Sequence, residues 1–381
     1  MTSGSIGHGV PGEVLISSHR ARPVGSKSGE FNVAAHGLRG IASIFVLAAH
    51  IFGGTARHIY PDHADYVRII EHPWNFGTFG VEIFFVISGF VILQSATRYD
   101  LREFALRRFV RIYPLFFVLS ILFVGLNYTT NAYAHLNNVE SIVAGLLFLN
   151  LFTGTEQLTP NAWSLSYEAC FYVLTGLVIA FGVRRRDKLL GGLSLLAAAA
   201  FLIAFPITVY FLVGIAMRLA MPAASRPTAT SRVAEIVCFG FLAYFASRAH
   251  FDYSSWRQFL NPVVPLTLAA ITLYFYLALR PGSATAHLLG GRFFRYAGDV
   301  SYSLYLVHPF AYYLLRMLFV RCGWFTDNIA LSMTAFAIAV FAASFAMTHF
   351  IYRFLERGPY QAIFHQRIYR EKGATTQVGS C

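Results

Sequence analysis

The sequence predicts an all-α, polytopic membrane protein of about ten transmembrane helices. Three observations carry that expectation. The chain is 56% hydrophobic and 13% charged, whereas soluble domains carry about 25% charged residues. Its mean hydropathy is +0.54. Its basic residues sit in short clusters between apolar runs, the pattern of cytoplasmic loops. That clustering argues against nucleic acid as the partner of the +12 net charge and leaves membrane lipids as the expected surroundings. Cys170, Cys238, Cys322 and Cys381 lack metal-like spacing, and two lie inside apolar runs, so neither a metal site nor a disulfide framework is expected.

Residues 1–35 are rich in Gly, Ser and His and lack a signal-peptide core, so they read as a flexible cytosolic tail. Apolar runs place spans at 36–54, 76–95, 112–130, 163–183, 189–205, 207–221, 233–247, 261–279, 299–319 and 328–350. SIVAGLLFLNLF at 141–152 is too short to cross and reads as a re-entrant segment. Residues 36–355 would form the membrane domain and 356–381 a cytosolic C-terminal tail. With both termini cytosolic, only Arg57, Arg68, Arg248, Arg257, Arg316 and Arg321 of the 30 Lys/Arg fall elsewhere, a strong positive-inside bias.

Arg39 and His50 stand eleven residues apart in LRGIASIFVLAAH, with no charge between them. In a helix, eleven steps return to within roughly 20° of the starting direction and rise roughly 16 Å. The pair therefore links one membrane face to the interior, where an ionisable residue is costly and marks a functional site by default. His50 could accept a proton from a hydroxyl and return it to a leaving group; a core histidine bonded to a backbone carbonyl is the plainer reading. Glu82 in FGVEIFFVISGF, at similar expected depth, is the candidate carboxylate to orient His50, or else part of a buried pair that only fixes packing.

RYDLREFALRRFVRIYP at 98–114 is basic and amphipathic. Arg107, Arg108 and Arg111 suit bidentate phosphate binding, and contact with anionic lipid headgroups is the competing reading. Glu168 in WSLSYEACFY needs a partner, either a sugar hydroxyl or an arginine. Ser301, Tyr305 and His308 in GDVSYSLYLVHPF share one helical face, which points to a wet cavity or to interhelical hydrogen bonds. No Walker loop, HExxH or Ser-His-Asp pattern is present.

Together, Arg39-x10-His50, GVEIFFVISGF, RRFVRIYP, WSLSYEACFY and SYSLYLVHP resemble, in order over residues 36–360, the integral-membrane acyltransferase family 3 of O-antigen, exopolysaccharide and nodulation-factor acetylases. The resemblance implies acyl transfer from cytosolic acyl-coenzyme A, acetyl-CoA above all, to a hydroxyl of a surface or lipid-linked polysaccharide in the inner membrane. It implies His50 as the catalytic residue and Arg39 with Arg107, Arg108 and Arg111 on the donor side. Acceptor contacts are expected from Glu168, Ser301, Tyr305 and His308, with polysaccharide-assembly proteins as possible partners. Two positions depart from the family pattern: His36 stands where many members have Asp, and the C-terminal element reads ERGP at 356–359. A transporter or flippase is the rival from another class; within the enzyme class, the rivals are transfer of succinyl or longer acyl groups and a small lipophilic acceptor.

Overall fold

A computed structural model describes residues 31–220, 228–248 and 255–364. Cys381, almost all of the expected N-terminal tail and the end of the C-terminal tail lie outside the described residues. The described residues are mainly helical, with no strand among them. The helices are α1 Val33–His58, α2 Ala64–Thr78, α3 Gly80–Arg98, α4 Leu101–Thr130, α5 Val139–Leu146, α6 Asn150–Thr153, α7 Trp163–Leu177, α8 Lys188–Ala204, α9 Val209–Ala220, α10 Ala229–Arg248, α11 Val263–Ala278, α12 Ala284–Leu288, α13 Arg292–Arg321 and α14 Ile329–Ile351. Side-chain caps set several starts: Asn32 accepts from Ala35 N, Asp100 from Glu103 N, Asp187 from Leu189 N and Leu190 N, and Asn328 from Leu331 N.

Every expected span has a helical counterpart. Among the described residues, seven stretches are long and apolar enough to cross a membrane, Val33–His58 and Arg292–Arg321 among them. The expected fifth and sixth spans are α8 and α9, bent by 116° where Pro206 interrupts them, and the eighth is the short α11. The crossings by length are thus seven, or eight with the bent pair as one span, fewer than the expected ten. Segment 141–152 falls into two short helices, α5 and α6, neither long enough to cross, with Phe148 in the left-handed region (φ 57°) at their junction. A buried network ties this segment to α7: Gln157 donates to Ser166 Oγ at 3.1 Å, and Ser166 to Asn150 Oδ1 at 2.7 Å. At the C-terminal end, the packed helical chain runs past residue 355 to the buried Phe364.

Two backbone contacts position the site. A Cβ on Gly40 would stand 2.7 Å from Gly298 N, so α1 and α13 touch through backbone as small residues permit in membranes. His50 and His308 each lie ten residues beyond these glycines, so the two helices run in the same direction and bring the histidines level. The α3–α9 crossing is tighter still: a Cβ on Gly89 would stand 2.0 Å from Phe211 O, and one on Gly214 2.0 Å from Val86 O.

Candidate active site

His50 and His308 meet edge to face, with ring centroids 5.0 Å apart. The Nδ1 of His50 lies 2.8 Å from Val46 O, and the Nδ1 of His308 lies 3.0 Å from Leu304 O. A carbonyl only accepts, so each neutral ring carries its proton on Nδ1 and keeps the Nε2 lone pair. His308 is fully buried, and its Nε2 has no hydrogen-bond partner. The plainer reading of His50, a bond to a neighbouring carbonyl, is therefore present. It also supplies the tautomer a general base needs.

Tyr305 continues the line, its ring 6.1 Å from that of His308. Its hydroxyl donates to Asn161 O at 2.7 Å and shares a hydrogen bond with Ser164 Oγ at 2.9 Å. Pro309 has no N–H for the carbonyl four residues back, which leaves Tyr305 O to accept from the Asn161 side chain.

Tyr305 also lines a narrow pocket of about 70 Å³ shared with Arg39, Arg108, Arg111, Glu168 and Tyr172. Ser88 Oγ donates to Glu168 at 2.6 Å and the Tyr172 hydroxyl donates to the same oxygen. Glu168 is thus satisfied by hydroxyls, and none of the three arginines makes an ion pair within 4 Å among the described residues. Arg108 Nε is buried without a partner, a donor aimed at nothing in the protein. Glu356 adds a carboxylate within electrostatic reach of Arg39 and Arg111, held by Ser303 Oγ at 2.5 Å.

His50 lines a larger cavity of about 320 Å³ on the far side of the histidine pair. Its walls include Trp74, Asn127, Tyr133, Tyr312 and Arg316. The Trp74 ring stands 5.9 Å from His50. Asn127 donates to Tyr133 O at 2.9 Å and accepts from Tyr133 N at 2.8 Å, which turns the chain back on the end of α4 along the cavity wall.

The structure therefore gathers Arg39, Arg108, Arg111 and Glu168 in one pocket, and His50, His308 and Tyr305 in the partition beside it. Three expectations are corrected. Glu82 does not hold the Nδ1 of His50, which is taken by Val46 O; its carboxylate is buried with Oε2 unpartnered, within electrostatic reach of Tyr305. Arg107 does not enter the arginine pocket, because Glu103, one turn back, binds it at 2.7 and 2.9 Å and it stacks over Tyr99 and Phe364. Ser301 bonds the Gly298 carbonyl of its own helix at 2.9 Å and lines neither cavity. Sequence reasoning missed Trp74, which lies in a helix outside the expected spans, and Glu356, which sits in the ERGP element treated only as a departure. His36, the other departure, lies 3.2 Å from Asp299 and 3.0 Å from Arg295 O.

The helical bundle thus sets a histidine pair between an arginine pocket and an aromatic-walled cavity. The chain belongs to the acyltransferase family 3, whose acyltransferase-domain profile matches residues 32–353. It is 25% identical over 286 residues to the protein YrhL of Bacillus subtilis (strain 168), whose name assigns it to peptidoglycan O-acetyl transfer; the match covers 61% of this chain and 44% of that one. It is 32% identical over 146 residues to the acyltransferase MdmB of Streptomyces mycarofaciens, covering 36% of each chain. The chain thus aligns with less than half the length of either relative. No solved structure matches it.

Proposed function

We propose that this protein is an O-acyltransferase that moves an acyl group, acetyl above all, from acyl-CoA to a hydroxyl of a surface or lipid-linked glycan. The observation that carries this reading is the partition itself. Tyr305 faces the arginine pocket, His50 faces the aromatic cavity, and His308 lies between them. Arg39, Arg108 and Arg111 hold the donor's phosphates through unpaired guanidinium groups, as their fork geometry favours. His50 Nε2 takes the proton from the acceptor hydroxyl, and the oxygen attacks the thioester carbonyl. The carbon–sulfur bond breaks, and the coenzyme A thiolate leaves with the proton that His50 returns. The basic-residue bias supports a cell inner membrane location with both termini and the arginine pocket on the cytosolic side.

A detergent-solubilised preparation given labelled acetyl-CoA should hydrolyse the thioester or transfer its acyl group. A wild-type protein that does neither, yet moves glycan or acyl donor across vesicles, would be a transporter, and the enzyme reading would fail. The geometry separates two neighbouring arginines in the same assay. Arg111→Ala should raise the KM for acyl-CoA by about tenfold or more, the scale of a lost charge-assisted hydrogen bond, whereas Arg107→Ala should leave it unchanged. Equal effects would contradict the placement of Arg107 against Glu103.

A further inference from the structure

Of the six basic residues that fall outside the cytosolic clusters, Arg57 and Arg316 both line the aromatic cavity. His58 lines it too, within electrostatic reach of both. No Asp or Glu is among the described residues that line it. The two guanidinium groups, gathered without a carboxylate, repel one another, an arrangement relieved by an anion. Arg316 lies beside the rings of Tyr312 and Tyr313, at 5.5 and 5.7 Å, and its guanidinium carries several N–H donors suited to a bidentate acceptor.

The distances relate this charge to the chemistry. Arg57 is seven residues beyond His50 on α1, which returns it to within roughly 20° of the same face at a rise of roughly 10 Å. Gly53 lies between, where a Cβ would stand 1.9 Å from the Trp74 ring, so the indole rests directly on the α1 backbone. Its flat apolar face suits the C–H face of a sugar ring.

Resting on the acyltransferase reading, we propose that the cavity selects an anionic glycan acceptor. A carboxylate or phosphate sits at Arg57, Arg316 and His58, one or two sugar units from the hydroxyl presented to His50. A lipid headgroup phosphate shares this chemistry, but the basic groups line the same cavity as His50, and Arg57 shares its helical face, which favours the glycan.

The test compares surface glycans from a deletion strain complemented with wild-type protein or with Arg57→Gln/Arg316→Gln, using mass spectrometry of acylated fragments. The expected result is a fragment that carries an acidic group within two sugars of the acylated hydroxyl. The double variant should lose about tenfold or more of that acylation, while the purified variant keeps the wild-type thermal midpoint and KM for acetyl-CoA. A neutral acylated fragment, or unchanged acylation in the double variant, would overturn the proposal. Repeating the acetyl-CoA assay in neutral phosphatidylcholine and anionic phosphatidylglycerol vesicles tests the lipid source: a wild-type requirement for the anionic lipid that the double variant loses would assign the arginines to headgroups instead. If deletion changes no glycan acyl group, the polysaccharide reading itself has failed, a result distinct from a neutral acylated product.

Discussion

Replacing His50 with Ala should abolish acyl transfer while leaving the protein folded. The side chain's one hydrogen bond goes to Val46 O in its own helix, so its removal strands no group on another helix. What is lost is the Nε2 lone pair facing the aromatic cavity, and positioned general acid–base groups contribute about 10²–10⁴-fold in rate. The expected signature is a loss of kcat on that scale with the donor KM unchanged, because the arginine pocket lies across the partition. His50→Gln is the sharper variant, since it keeps a polar side chain of similar reach but no base of comparable strength. A His50→Gln protein retaining more than about a tenth of wild-type transfer would remove His50 from the mechanism.

The largest stability effect is expected at Gly89. A valine there must place its Cβ where Phe211 O already lies 2.0 Å away, and the obstacle is backbone rather than a side chain that can swing aside. The neighbouring Gly214 meets Val86 O equally closely, so no slide along the crossing relieves the clash. Overpacking in well-packed interiors costs about 1–3 kcal/mol and occasionally more, and this contact belongs at the upper end. Gly89→Val should lower the thermal midpoint of the detergent-solubilised protein or block its accumulation. Gly125→Val, with nothing within 4 Å of its Cβ position, should do neither. Equal behaviour of the two variants would mean that the α3–α9 crossing does not hold the bundle together.

The helices were legible because long apolar runs and basic clusters are properties of single segments. Azimuth between segments was not. Expected depth pairs Glu82 with His50, but depth says nothing about hydrogen-bond partners, and His50 Nδ1 bonds the Val46 carbonyl of its own helix. Arg107 shows the same limit at shorter range. Its spacing to Arg111 matches one helical turn, yet one oxygen of Glu103, one turn the other way, accepts from both its Nε and an Nη. Trp74 escaped notice because α2 carries Asp65, Arg68, Glu71 and Pro73, which break the apolar signal before the expected span begins. By contrast, the shared face of Tyr305 and His308 was readable from spacing alone, and both lie in the partition.

The equal ten-residue interval from Gly40 to His50 and from Gly298 to His308 has a dynamic consequence. Helices that run in the same direction and touch through backbone cannot slip by a turn without breaking that contact and separating the rings together. Access for a bulky reactant must therefore come from softer elements. The segment from Ala132 to Pro160 borders the aromatic cavity and consists of short helices and turns held largely by side-chain amides. Such a segment can open as a hinged cover while the histidine pair keeps its geometry. Amide exchange across 132–160 should then outpace that of α1 and α13.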